Sequence, residues 1–205
     1  MKQSQILIAV FVISIIGFIF YSLQGGESAE TYAEDILKER EEKDFQMTLQ
    51  DSPFSEEDKK EFKGLQYYAP NMKFRISARL SPIESKKMRI LTTNDGLETR
   101  YLEYAYANFS INEIDCSLLI LEVTEAGPNR GTLFLAFADE TSARETYGAG
   151  RYLDINKVPG STSILLDFNK AYNPYCAYTA SYSCPFPPKE NILPIAIEAG
   201  EKIYH

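Results

Sequence analysis

A chain of 205 residues with 44% apolar and 24% charged residues suits one domain with its own core, or two very small ones. The same fractions exclude wholesale disorder, collagen-like repeats and a polytopic membrane protein. A net charge of −8 argues against nucleic-acid binding, which runs on clustered Lys and Arg. The one histidine is the last residue, His205, so a mechanism needing an internal His base or a multi-His metal site has no candidate.

Residues 6–21 carry no charge, and Lys2 and the amino terminus are the only positive groups before them. Extended to residue 23, the run would span roughly 27 Å as a helix, close to a hydrocarbon core of about 30 Å. The spacing predicts a membrane contact through residues 6–23, as a retained signal anchor within residues 1–26. The alternative is a cleaved signal peptide with Gly26 and Ser28 as its small residues. Lys2 lies on one side and Glu27, Glu30, Glu34 and Asp35 on the other, which places the remaining chain outside the cytoplasm.

Residues 29–47 are rich in helix formers, with Ala29, Tyr32, Ala33, Ile36 and Leu37 at helical spacing. The apolar pattern fades from Lys38 to Asp44, so the expectation is one helix whose first half packs and whose second half is mostly solvated, a stalk or lead-in within residues 27–62. That stretch holds thirteen acids and five bases, against sixteen and fifteen in residues 63–205. Ser55 followed by Glu56, Glu57 and Asp58 predicts a short helix with a capping serine and an acidic first turn, ending before Gly64.

From Leu65 onward the period changes to two. Strands are expected over residues 74–78, 88–93, 97–110, 116–123, 132–137, 151–155, 163–168 and 192–197. Asp95-Gly96 marks a tight turn between the second and third. Eight strands without strand–helix alternation predict a mainly β domain over residues 63–205, an antiparallel sandwich or small barrel preceded by the membrane helix and the acidic helix.

Chemistry concentrates late in the chain. Strand alternation sends Asp167 and Asn169 to one face, and between Asp167 and Pro188 stand four tyrosines, two phenylalanines, four prolines and two cysteines. So many aromatics must pack, and the prolines restrict the unfolded chain. The Tyr147-Gly148-Ala149-Gly150-Arg151 run reads as a turn entering a strand, since a nucleotide fingerprint needs a parallel strand–turn–helix context.

Several of these runs resemble domain of unknown function 1684. They are Glu145-Thr146-Tyr147-Gly148 with Gly150-Arg151-Tyr152-Leu153, Asp167-Phe168-Asn169 with Ala171-Tyr172-Asn173-Pro174, Cys176-Ala177-Tyr178, Cys184-Pro185 with Pro187-Pro188, and Ala199-Gly200-Glu201-Lys202. The resemblance covers roughly residues 31–203, more loosely at Phe62-Lys63-Gly64-Leu65-Gln66-Tyr67, and departs from the family at Tyr175, where a second proline is common. It implies a family label and carries no activity, cofactor or metal.

The residues leave several readings open. Cys176 and Cys184 would close a small disulfide in an oxidising compartment, remain two thiols, or hold a metal, although Cys-x7-Cys without His is not a standard zinc spacing. Cys116 reads as a small core residue. Arg151, Asp167 and Asn169 form either a buried Arg–Asp pair with a turn-capping Asn, or a ligand pocket with Tyr147, Tyr172, Asn173 and Tyr178, in which Arg151 meets an anionic group. Glu201 and Lys202 would join either, or form an exposed charge pair. Three function classes follow: a binding domain for a small polar or anionic ligand or an envelope partner, a hydrolase with Asp167 or Glu201 as base or with a metal on Asp139, Glu140 or Asp167, and a purely structural envelope component.

Overall fold

The computed structural model describes residues 11–13 and 27–204. The expected membrane segment, residues 6–23, lies outside the described residues except for 11–13, which are helical. Among the described residues no helix is long and apolar enough to cross a membrane.

Helix α1 (Ala29–Met47) starts at Ser28, whose hydroxyl accepts the Thr31 N–H, and α2 (Glu56–Glu61) starts at Ser55 with a full capping box to Asp58. Seven strands follow: β1 (Arg75–Pro82), β2 (Met88–Thr92), β3 (Glu98–Ile111), β4 (Ile114–Val123), β5 (Leu133–Phe137), β6 (Arg151–Leu153) and β7 (Ser163–Asp167). They form one antiparallel sheet in the order β6-β5-β4-β3-β1-β7, with β2 also on β3.

The long strand β3 organises this sheet. Its first half pairs with β2 and its second half with β1, while β4 runs along its other edge. A register shift between Glu103 and Ala105 marks a bulge that increases local twist and curls the sheet. The result is a half-barrel, so in place of the expected sandwich or small barrel there is one curled sheet with β6 and β7 at the two ends of its order. The β3–β4 turn uses Asn112 and Glu113, both at positive φ, as a two-residue hairpin of matching twist requires.

The main core gathers Ala78, Ala107, Leu118, Ile120, Leu135, Phe137, Leu166 and Phe168, all almost fully buried. Leu193, Ile195, Ile197 and Ala199 cover it from the C-terminal segment. That segment is the expected eighth strand, and here the structure differs. Its alternation of buried and exposed residues is real, but its backbone makes only scattered bonds to residues 138–140. The buried Asn191 stands in for a ladder partner, accepting the Leu119 N–H at 2.6 Å and donating to the Leu119 and Ala136 carbonyls at 2.9 and 2.8 Å.

Helix α1 is docked on this body rather than standing clear of it. Tyr32, Ile36 and Met47 are buried, and between them the contact is carried by charges. Arg40 lies 4.5 Å over the Tyr67 ring and donates to the Tyr68 carbonyl at 2.8 Å; Lys43 reaches Glu201; Asp44 accepts the Leu65 N–H at 3.0 Å. The expected solvated second half is therefore half engaged, and Leu37, an expected packing residue, is half exposed.

Gly200 permits the close approach that ends the fold. At φ +74° a Cβ there would sit 2.6 Å from the Ala171 carbonyl oxygen and 2.7 Å from that of Phe168. Gly200→Ala is expected to destabilise the protein by about 2 kcal/mol or more, read as a lower urea midpoint at unchanged slope.

Candidate functional site

The sequence singles out the polar residues around Arg151 and Asp167, and the structure separates them. Arg151 opens β6 and is 1% exposed. Its guanidinium pairs with Asp139 at 2.9 Å, donates to the Ile197 carbonyl at 2.9 Å and to that of Glu201 at 3.3 Å, bonds closely to the Ala199 carbonyl, and lies 5.2 Å from the Phe137 ring centre. The expected Arg151–Asp167 pair is thus an Arg151–Asp139 pair, because Asp139 extends from β5 beside β6 while Asp167 ends β7 on the opposite edge. Both terminal nitrogens of Arg151 are thus engaged by protein groups, and the side chain is buried.

Asp167 instead accepts from the Tyr32 hydroxyl at 2.7 Å and from the Asn169 backbone and side chain at 3.2 Å each, with Arg75 at 4.0 Å. Asn169 clamps Asn71, accepting its N–H and donating to its carbonyl, both at 2.8 Å. Burial first, then the Asp167 carboxylate, pushes the Tyr32 phenol well above its ordinary range. Asp167 and Tyr32 border a shallow cleft of about 500 Å³ with Arg75.

Glu201 is a further buried charge. It is 0% exposed rather than part of an exposed pair. Lys43 meets it at 3.1 Å, the Asn173 N–H at 3.1 Å and side chain at 2.8 Å donate to it, and the Tyr178 hydroxyl bonds closely to the same carboxylate. Asn173 also donates to the Lys202 carbonyl at 2.9 Å. Tyr178 packs against Phe54 and Tyr204, with its phenol held neutral first by burial and then by Glu201.

Beyond this network lies a cleft of about 670 Å³ between α1 and the tyrosine-rich loop. From α1 come Glu39, Glu42, Lys43 and Gln46, and from the loop Tyr172, Tyr175, Tyr182 and Cys184, with Tyr152, Asp154 and Lys170 between them. Tyr152 and Tyr172 meet edge to face at 6.1 Å, as do Tyr175 and Tyr182 at 5.1 Å. The Tyr172 hydroxyl donates to Asp154 at 2.8 Å, and Lys43 lies 4.6 Å over the Tyr172 ring. Lys170 pairs with Glu39 at 2.6 Å.

Of the expected site residues, the structure brings Tyr172 and Cys184 to this cleft. Arg151, Asp167, Asn169, Asn173 and Tyr147 lie elsewhere. Tyr147 places its hydroxyl 3.9 Å from the Cys176 sulfur, and burial pushes that phenol up to about 12. Lys43, Lys170, Asp154 and Tyr152 were missed; a polar stripe at 39, 42, 43 and 46, on one helical face, was the signal available. Cys176 and Cys184 stand as neighbouring thiols, and Cys116 is buried in β4. Among the described residues no group of three or more His, Cys, Asp or Glu is placed to hold a metal.

A family model described as protein of unknown function (DUF1684) matches residues 60–202. The solution NMR structure of an uncharacterised protein from gene locus rrnAC0354 of Haloarcula marismortui is similar, with a TM-score of 0.65 and 33% identity over 84% of this chain and 95% of that one. No curated protein matches the chain.

Two expectations test this geometry. Arg151→Ala should lower stability by about 3–5 kcal/mol in urea unfolding, because it leaves Asp139 buried without its cation; unchanged stability would contradict the network. The second concerns alkali. Tyr101 and Tyr147 are pushed up to about 12, chiefly by burial, and Tyr32, Tyr67, Tyr152, Tyr172 and Tyr178 higher still. Above about pH 10 the unfolded chain loses phenolic protons that the fold retains. Stability should therefore be intact below about pH 10 and fall as pH rises through about 12, with phenolate absorbance appearing together with unfolding.

Proposed function

The chain belongs to the family described as protein of unknown function (DUF1684), and on that premise we propose that it is a non-catalytic binding domain that takes a small polar ligand in the cleft between α1 and the tyrosine-rich loop. The observation that carries this reading is the cleft's wall. Tyr152, Tyr172, Tyr175 and Tyr182 offer ring faces and edges around hydrogen-bonding groups, in a space of about 670 Å³, within the usual range for small-molecule sites. The charge balance refines the ligand. Lys170 is paired with Glu39 and Lys43 with Glu201, which leaves Glu42 and Asp154 as carboxylates outside any ion pair among the described residues. Such a cleft favours a neutral or cationic polyhydroxyl ring over an anion.

The domain is further proposed to sit outside the cytoplasm, held to the membrane by residues 6–23 or released from them after cleavage. This rests on the uncharged run and the flanking charges in the sequence. A hydrolase using Asp167 or Glu201 as base has less support, since each carboxylate is already occupied by several protein donors.

The test is titration of the full chain in detergent with N-acetylglucosamine, glucosamine and glucuronate, followed by isothermal calorimetry and NMR. The neutral or the cationic sugar should bind more tightly than the anionic one. Tyr175→Ala and Tyr182→Ala, both at exposed positions, should weaken binding by about threefold to tenfold without altering the melting temperature. Preference for glucuronate, or binding indifferent to both substitutions, would overturn the reading.

A further inference from the structure

The aromatic loop brings two thiols together at the inner end of the cleft. Pro174 introduces a 3-10 turn over Tyr175–Ala177, and within it the Cys176 N–H points at the Cys184 sulfur, 3.3 Å away. Cys184 is held in place independently of Cys176. Its own N–H donates to the Asn94 side chain at 2.7 Å, and its carbonyl accepts the Asn94 N–H at 3.1 Å, so the turn between β2 and β3 clamps its backbone on both sides. Thr93 and Ser183 both donate to Asp95, at 2.5 and 2.8 Å, fastening the same turn to the residue before Cys184. Cys184 is buried but lines the cleft, whereas Cys176, partly exposed, lies outside its lining with the Tyr147 hydroxyl 3.9 Å from its sulfur.

We propose that Cys184 and Cys176 form a thiol–disulfide exchange site entered through the cleft, with Cys184 as the attacking thiol, Cys176 as the resolving thiol and a low-molecular-weight disulfide as co-reactant. The proposal rests on the reading that the cleft admits small molecules. The electrostatics agree with these roles. The Cys176 thiol, donating to Cys184, and the N–H groups of Cys176 and Tyr175 lower the Cys184 pKa against the opposing effects of burial and Asp95; Cys176 is correspondingly raised. Cys116 provides a contrast within the same chain. It is as buried as Cys184, but among the described residues its sulfur faces the Ile114 carbonyl oxygen at 3.7 Å rather than an N–H or thiol donor, and burial raises its pKa.

The chemistry balances. The Cys184 thiolate attacks one sulfur of R–S–S–R, forming Cys184–S–S–R and expelling R–S⁻, which takes up the proton Cys184 gave up. Cys176 then loses its proton and attacks the Cys184 sulfur, forming the Cys176–Cys184 bond and expelling the second R–S⁻, which takes that proton. Two protein thiols and one small disulfide become one protein disulfide and two small thiols, and two electrons pass from the protein to the co-reactant.

Oxidised glutathione is the probe, added to the reduced full chain in detergent, with acid quenching, alkylation and peptide mass spectrometry. The wild type should form the Cys176–Cys184 disulfide, reversible by reduced glutathione without unfolding, while Cys116 stays unmodified. Cys176→Ser should accumulate a glutathione mixed disulfide on Cys184. Cys184→Ser should modify Cys176 at least about tenfold more slowly. Equal rates in the two variants, or a disulfide that resists reduction in the folded protein, would overturn the proposal.

Iodoacetamide labelling of the folded wild type keeps the test independent of variant folding. Cys184 should react at least about tenfold faster than Cys116. Protection of all three cysteines would mean that the cleft is closed and both readings fail. Rapid labelling of Cys184 with no intramolecular disulfide would overturn the exchange site alone.

Discussion

A carboxylate taken wholly out of water needs several partners at once, and Glu201 draws its partners from two distant stretches of chain. The desolvation penalty for a buried ion is several kcal/mol, offset only by close cations and donors. Lys43 comes from α1, Asn173 and Tyr178 from the tyrosine-rich loop, and Glu201 itself from the C-terminal segment. Meeting that requirement fixes the helix against the loop. Lys43 is thereby laid over the Tyr172 ring, and Tyr172 is in turn bonded to Asp154, which sets one wall of the cleft. The cleft is therefore a consequence of how one buried charge is neutralised.

Arg151 solves the complementary problem at the other side of the same segment. The C-terminal residues lack a continuous ladder, so their backbone groups need other partners. The guanidinium bonds the carbonyls of Ile197, Ala199 and Glu201, and Asp139 accepts the Ile197 N–H at 3.2 Å. A fixed fork of N–H donors serves three carbonyls and one carboxylate together, which an ammonium on a flexible stem would not reproduce. Two buried ionic groups, one basic and one acidic, thus hold the terminal segment from opposite sides, and Gly200 gives it the turn that lets both be reached.

Much of this was legible because period-two alternation is a local property. Strands β1 to β7 follow the apolar rhythm, Asp95-Gly96 makes its turn, and Ser55 caps its helix. The segment at 192–197 shows the limit of that signal: alternation reports which side chains are buried, not whether the backbone is paired. The second half of α1 is mostly exposed, as its composition suggests, but its docked side was not legible. The apolar pattern fades after Leu37, yet the docked face continues through the partly buried Arg40, Lys43 and Asp44, whose contacts are charged and so invisible to an apolar count. The partner of Arg151 was equally inaccessible, since Asp139 and Asp167 are both available in sequence and only the strand order separates them. Tyr172 and Cys184 were found because the loop announces itself by composition; Lys43, Asp154 and Lys170 were not, because a cleft wall assembled from residues 39–46 and 152–184 has no local pattern.

The distribution of charge acquires a different meaning once α1 is docked. Of the five bases in residues 27–62, Arg40 and Lys43 turn inward to the body. Glu30, Glu34, Asp35, Glu39, Glu41 and Glu42 remain exposed on the helix. An acidic surplus that in sequence suggests a solvated spacer is instead the outer surface of an element that forms one side of the cleft. Glu39 and Glu42 stand at its mouth, and Lys170 and Lys43 are each spoken for by a carboxylate. Like charges at close range raise the free energy of an approaching anion, and the low-dielectric tyrosine wall screens that repulsion less than water would. On the proposed reading, the net charge of −8 would act less on where the domain stands than on which molecules its cleft would admit.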